Sequence, residues 1–299
     1  MRYRFAILAC VLFLAGCGSG VDAEDPPPPP TSLRCSTGAD AMSHAALMAS
    51  YANPLLVVDS ADFDGTNDYM TRGAGLTNAA DSKTGILSMW VRLDTGGDFV
   101  TLAMLSSSRT AGGAPTNSFV VQRSFATNRF LILARDAANT TTALHMRTFN
   151  VFNASATWLH LLASWDLAAG ATHLYINDVS DRDTVSAVDT NIDYTYADWS
   201  VGAHPDATIK FAGCIADAYF APGQYLDFSL VANRRKFISA SGKPVHLGAT
   251  GSLPTGTAPI IYQHLDDAEE VANFALNRGT GGNFTITGTL DTGSSSPSD

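Results

Sequence analysis

From Leu55 onward the chain never sustains one apolar pattern for long. Short runs rich in Val, Ile, Leu and Phe are cut repeatedly by Gly, Asn, Asp, Ser and Thr. Runs of this kind, bounded by turn residues, read as strands. Ile86–Asp94 (ILSMWVRLD) alternates at period two, which puts Leu87, Met89, Val91 and Leu93 on one face and Ser88, Trp90 and Arg92 on the other. Ser118–Ser124 and Arg129–Arg135 read as a hairpin pair, as do Trp158–Trp165 and Thr172–Asn177. Further runs follow at Ile209–Phe220, Ile260–Gln263 and Asn283–Leu290. Strands do not alternate with long helices, so a parallel βαβ architecture is excluded. The expected fold is all-β, an antiparallel two-sheet sandwich or jelly roll over 55–291. Leu230–Ser239 (LVANRRKFIS) reads as one short helix within 230–239, and residues 292–299 of the terminal DTGSSSPSD as a disordered tail.

Composition narrows the function classes. Hydrophobic residues make up 45% of the 299 positions and charged residues only 15%, which suits a buried β core under a neutral polar surface. The net charge of −10 argues against nucleic acid, whose phosphates would repel it. Only Glu24, Glu269 and Glu270 are glutamate, so 25 of the 28 acidic residues are aspartate. Aspartate favours turns because its short carboxylate bonds nearby backbone amides, so the acidity belongs to loops.

The first residues carry a separate message. MRYR followed by FAILACVLFLAG has the charge and the short apolar run of an export signal, too short to remain as a spanning helix. It ends in Leu14-Ala15-Gly16-Cys17, which resembles a bacterial lipobox. That resemblance implies a signal peptide over 1–16, lipidation of Cys17, and an outer-membrane or cell-surface lipoprotein held by its acyl chains. An ordinary secretory peptide is the alternative. Residues 17–54 form a tether with five consecutive prolines, stiffened as polyproline II, and 39–52 has the composition of a short helix. Once Cys10 leaves with the signal and Cys17 carries lipid, Cys35 and Cys214 remain, which permits one disulfide or two buried thiols.

Five stretches in order resemble the laminin-G-like, concanavalin A-like jelly-roll domains of bacterial and phage surface proteins. They are Phe63-Asp64-Gly65 with Asp68-Tyr69, Met89–Asp94, Trp158–Leu161 with Ser164-Trp165-Asp166, Leu174–Asp178, and Phe211–Asp217. Asp178 stands where glycine is usual, and Ala216 replaces one of a paired set of acids. In related folds a structural calcium joins a turn of the first strand to an aspartate on the closing strand. The resemblance maps that ion onto Asp64 and Asp217. Without calcium, Asp64 caps its own turn and Asp217 is solvated or hydrogen-bonded.

Catalysis finds little support. Glycosidases of this fold need paired carboxylates on one strand, yet no glutamate lies between residues 25 and 268 and no strand carries a row of aspartates. Ala218–Asp227 (AYFAPGQYLD) is similar to an alginate-lyase strand, but Ala221 occupies the position of the lysine. The seven histidines show no metal spacing, and no Gly-x-Ser-x-Gly occurs. Sugar binding needs aromatic platforms beside a few polar groups. Period two pairs Trp90 with Arg92 and Trp158 with His160, which makes a candidate ligand site if both faces look outward; otherwise these tryptophans fill the core. The chain reads as a surface-anchored binding module for a glycan or other extracellular polymer. Its alternative is a structural or adhesion module whose partner is a surface protein.

Overall fold

The computed structural model describes residues 58–94, 102–111, 114–124, 127–267 and 269–299. The signal peptide, Cys17, the tether and Cys35 lie outside the described residues. The strands in chain order are β1 (Val58–Asp59), β2 (Ala61–Asp64), β3 (Tyr69–Arg72), β4 (Thr84–Leu93), β5 (Leu102–Ala111), β6 (Ala114–Arg123), β7 (Phe130–Arg135), β8 (Thr142–Thr148) and β9 (Leu159–Asp166). Then come β10 (Ala171–Ile176), β11 (Val179–Ser180), β12 (Arg182–Ala187), β13 (Asp198–Val201), β14 (Ala212–Pro222), β15 (Ile261–Gln263), β16 (Leu265–Asp266), β17 (Thr285–Thr287) and β18 (Asp291–Thr292).

Two antiparallel sheets face each other as a jelly-roll sandwich. The first runs β11-β10-β9-β4-β14-β2-β18, with β15 also on β14; the second runs β12-β8-β7-β6-β5-β13-β3-β17. Both expected hairpins form, with Val121 opposite Ile132 and Leu174 opposite Ala163. One short helix, α1 (Val231–Arg234), falls inside the expected 230–239 window. The inner face of β4 behaves as its alternation dictates: Leu87, Met89, Val91 and Leu93 enter the core between the sheets, beside Phe119, Trp165, Trp199 and Phe220.

The outer face of the first sheet is also buried, which alternation alone does not anticipate. The segment after β14 folds back over it. Ile86, Leu162 and Tyr219 pack against Phe228, Phe237 and Leu247, giving the sheet a third layer on that side. Ile238 of the same segment, with Val58, packs against Trp90, while Arg92 is met by tail serines, so both outward side chains are buried.

The last residues overturn the expectation of a disordered tail over 292–299. Asp291 and Thr292 add β18 to the edge of β2, and Ser296 is buried. Gly293 is needed where the tail crosses β2, because a Cβ there would stand 2.0 Å from Ser60 Oγ. The hydroxyls of Ser296 and Ser298 then engage the backbone of Val58. A serine-rich sequence gives no apolar signal, so this packing rests on hydroxyl-to-backbone bonds that the pattern of the chain does not advertise.

Candidate functional site

Strand pairing brings the four expected ligand-site residues together on the outer face of the first sheet. Trp90 on β4 lies opposite His160 on β9, and their rings stack with centroids 4.6 Å apart at 22°. Trp158 precedes β9 by one residue and so shares the face of His160. The Arg92 guanidinium lies over the Trp158 ring, 6.0 Å from its centroid. Arg92 Nε and Nη2 each donate to an Asp94 carboxylate oxygen at 2.7 Å. This bidentate pair fixes the plane of the guanidinium. Its remaining nitrogen, Nη1, donates to Ser294 Oγ at 3.0 Å and Ser295 Oγ at 2.7 Å. Trp158 Nε1 donates to that same Ser295 Oγ at 3.1 Å.

A cleft of about 440 Å³ opens beside this group, walled by Trp90, Trp158, Asn177, Lys243, Ser295 and Asp299. Trp90 forms its floor at only 2% exposure, and Trp158 is half-buried at its side. His160 lies behind Trp90, wholly buried, with Nε2 2.8 Å from Ser88 Oγ. Burial, opposed only weakly by Asp178, lowers its pKa to about 3, so the ring is neutral in any physiological medium. It supports the floor through its stack on Trp90. Ser294, Ser295, Asn177 and Lys243 escaped the sequence reading. They come from loops and a tail whose position only the fold supplies.

The expected calcium pair does not assemble. Asp64 ends β2 opposite Ala212, whereas Asp217 lies five residues further along β14, roughly 16 Å away at the rise of a strand. Each instead has its own protein partners. Asp64 Oδ1 accepts the backbone N–H groups of Thr66, Asn67 and Asp68 at 2.7, 2.9 and 3.1 Å. Those bonds hold its pKa below the usual value despite some desolvation. Asp217 sits where the β4–β14 register slips between Ala216 and Tyr219, at a left-handed φ of 46°. Such a bulge re-aims a side chain, and here the carboxylate, 2% exposed, meets His264 Nδ1 at 2.5 Å. His264 Nε2 in turn contacts Asp266 at 3.0 Å, and Arg278 bridges Asp266 to Glu269.

Cys214, opposite Arg92 on β14, is a buried thiol. Burial, with Asp62 nearby, pushes its pKa up to about 12. Its sulfur and the carboxylates of Asp62 and Asp94 lie within 4.8 Å of one another, and Arg92 supplies the cation that Asp94 faces.

No family model matches the chain, and no curated protein matches it. Solved structures do. A candidate carbohydrate-binding protein from Bacteroides ovatus is similar with a TM-score of 0.56 at 12% identity, covering 81% of this chain. The chain spans 62% of that protein's length. A heptameric SAP-like pentraxin from Limulus polyphemus gives a TM-score of 0.44 at 10% identity over 79% of this chain and 94% of that one. Domains LG4-5 of the mouse laminin α1 chain give 0.37 at 12% identity, over 57% and 45%. At such identity the likeness to the first of these speaks for architecture alone, and it agrees with the sheet order above: the described domain is an antiparallel jelly-roll sandwich.

Proposed function

We propose that this domain is a binding module that takes a glycan, or a similar polyhydroxylated extracellular polymer, in the cleft beside Trp158. The observation that carries the reading is a half-buried indole beside a fixed guanidinium, in a cleft that also offers Asn177 and Lys243. An apolar ring face against an indole, with a few placed donors for hydroxyls, is the chemistry of sugar recognition. The fold shared with a candidate carbohydrate-binding protein supports the same reading. Binding is favoured over catalysis because His160 is wholly buried beneath the cleft floor and Arg92 is already paired.

A polysaccharide array probed with and without EDTA tests this. Retention on at least one polymer, unaffected by EDTA and weakened at least about tenfold in Trp158→Ala, is the expected result. Absence of retention on every polymer, or a Trp158→Ala protein that binds like wild type, overturns it.

The domain is exported and lipid-anchored through Cys17 in this proposal, supported by the Leu14-Ala15-Gly16-Cys17 motif and the proline tether that follows. Labelled palmitate should enter the wild-type protein and be lost in Cys17→Ser. Equal labelling of both would contradict the anchor.

A further inference from the structure

The tail that crosses the first sheet presents hydroxyls to the donors of the proposed ligand site. Its ends are fastened. Gly293 N donates to Ser60 O at 2.8 Å, Ser60 Oγ donates to Ser295 O at 3.0 Å, and Val58 N donates to Ser298 Oγ at 3.1 Å. Between these points, the hydroxyls of Ser294 and Ser295 take up the free guanidinium nitrogen of Arg92 and the indole N–H of Trp158. Two hydroxyls on consecutive residues, bonded to an arginine fork and a tryptophan edge, have the donor–acceptor pattern of two neighbouring hydroxyls on a sugar. Ser294 is exposed and Ser295 only half-buried, so this part of the tail lies next to solvent. Two of these three bonds come from the charged guanidinium, and their acceptors are hydroxyls that a ligand hydroxyl replaces like for like at little net change.

We infer that residues 294–299 are a strap that occupies part of the ligand site, and that the ligand displacing it is a neutral glycan with adjacent free hydroxyls. The inference rests on the glycan reading above and deepens it. Neutrality follows from the charges. Asp94 already satisfies Arg92 through two bonds, so the guanidinium charge is balanced and a single nitrogen is left for an uncharged hydroxyl. A ligand that must first displace a closed strap binds more weakly in proportion to the fraction of molecules with the strap open.

The test compares three proteins: the full chain, a chain ending at Gly293, and the full chain carrying Ser294→Ala and Ser295→Ala together. Each is titrated with soluble neutral β-glucan and mannan, and acrylamide quenching of tryptophan emission is read against a Trp158→Phe reference. Binding at least about tenfold tighter in both altered proteins, with Trp158 more readily quenched, is the expected result. Equal affinity in all three, lost in Trp158→Ala, overturns the strap and leaves the glycan site standing. Weaker binding in the altered proteins makes the tail part of the site, which also overturns the strap. No binding by any of the three, with Trp158 exposed in the shortened chain, overturns strap and glycan reading together. Should the shortened chain fail to fold by circular dichroism, the double serine variant decides by the same criteria.

Discussion

Two polar clusters lie a few residues apart along β14 and differ in what satisfies them. Beside Cys214, Arg92 and Trp158 direct N–H groups at serine hydroxyls of the tail, next to an open cleft. At Asp217, the carboxylate, His264, Asp266 and Arg278 satisfy one another, and the imidazole is 2% exposed. One arrangement has partners that another molecule can replace. The other is anchored on the buried Asp217–His264 pair, with Asp266 at its solvent end, and in this account it serves stability.

The sharpest way to break this comparison is to open the sealed cluster. His264→Ala leaves Asp217 buried without its imidazole, and stranding one member of a buried pair costs about 3–5 kcal/mol. Urea denaturation should show a loss of that size; a loss below about 1 kcal/mol would make the two clusters equivalent. The pH dependence comes next. Burial opposes protonation of His264, but its bonds to Asp217 and Asp266 outweigh burial and raise its pKa above the ordinary 6.5. Stability from this group is therefore complete below that ordinary value and is lost as pH rises through the raised one. Asp266 behaves oppositely: bonds from His264 and Arg278 overcome its desolvation and lower its pKa below 3.8, so its contribution disappears only in acid. Melting temperatures of wild type and His264→Gln should converge as the medium turns alkaline. A constant gap from acid to alkaline pH would contradict the assignment.

A smaller effect is expected at the acidic turn. Asp64→Ala removes an acceptor for three backbone N–H groups at an exposed site, costing about 1 kcal/mol because water can replace part of what is lost. Trp158→Ala should cost least, about 1 kcal/mol or less by thermal melting, since its ring is half-buried and its indole N–H bonds an exchangeable hydroxyl.

The alternation of β4 and of the chain before β9 made the partnerships of Trp90 with Arg92 and Trp158 with His160 legible, because period two fixes which side chains share a face. The Asp64 turn was legible for a similar reason, since its bonds reach only two to four residues ahead. Asp217 was not, because its partner lies 47 residues away and depends on a bulge and on β15 adding to β14. The third layer over the first sheet was hidden too. Glycine, serine and proline in residues 240–259 read as loop, which they are, without revealing which surface the loop covers. The tail was misread because hydroxyl-to-backbone bonds leave no hydrophobic signature.

The central claim is that the open cluster binds and the sealed one does not. One soluble glycan retained by the wild type, titrated against Trp158→Ala and His264→Gln at pH 7, tests it most directly. The account predicts at least about a tenfold loss of affinity, or about 1.4 kcal/mol, in Trp158→Ala with little change in melting temperature, and unchanged affinity with a lower melting temperature in His264→Gln. Wild-type affinity in Trp158→Ala, or affinity that falls in His264→Gln while the protein remains folded, would contradict it.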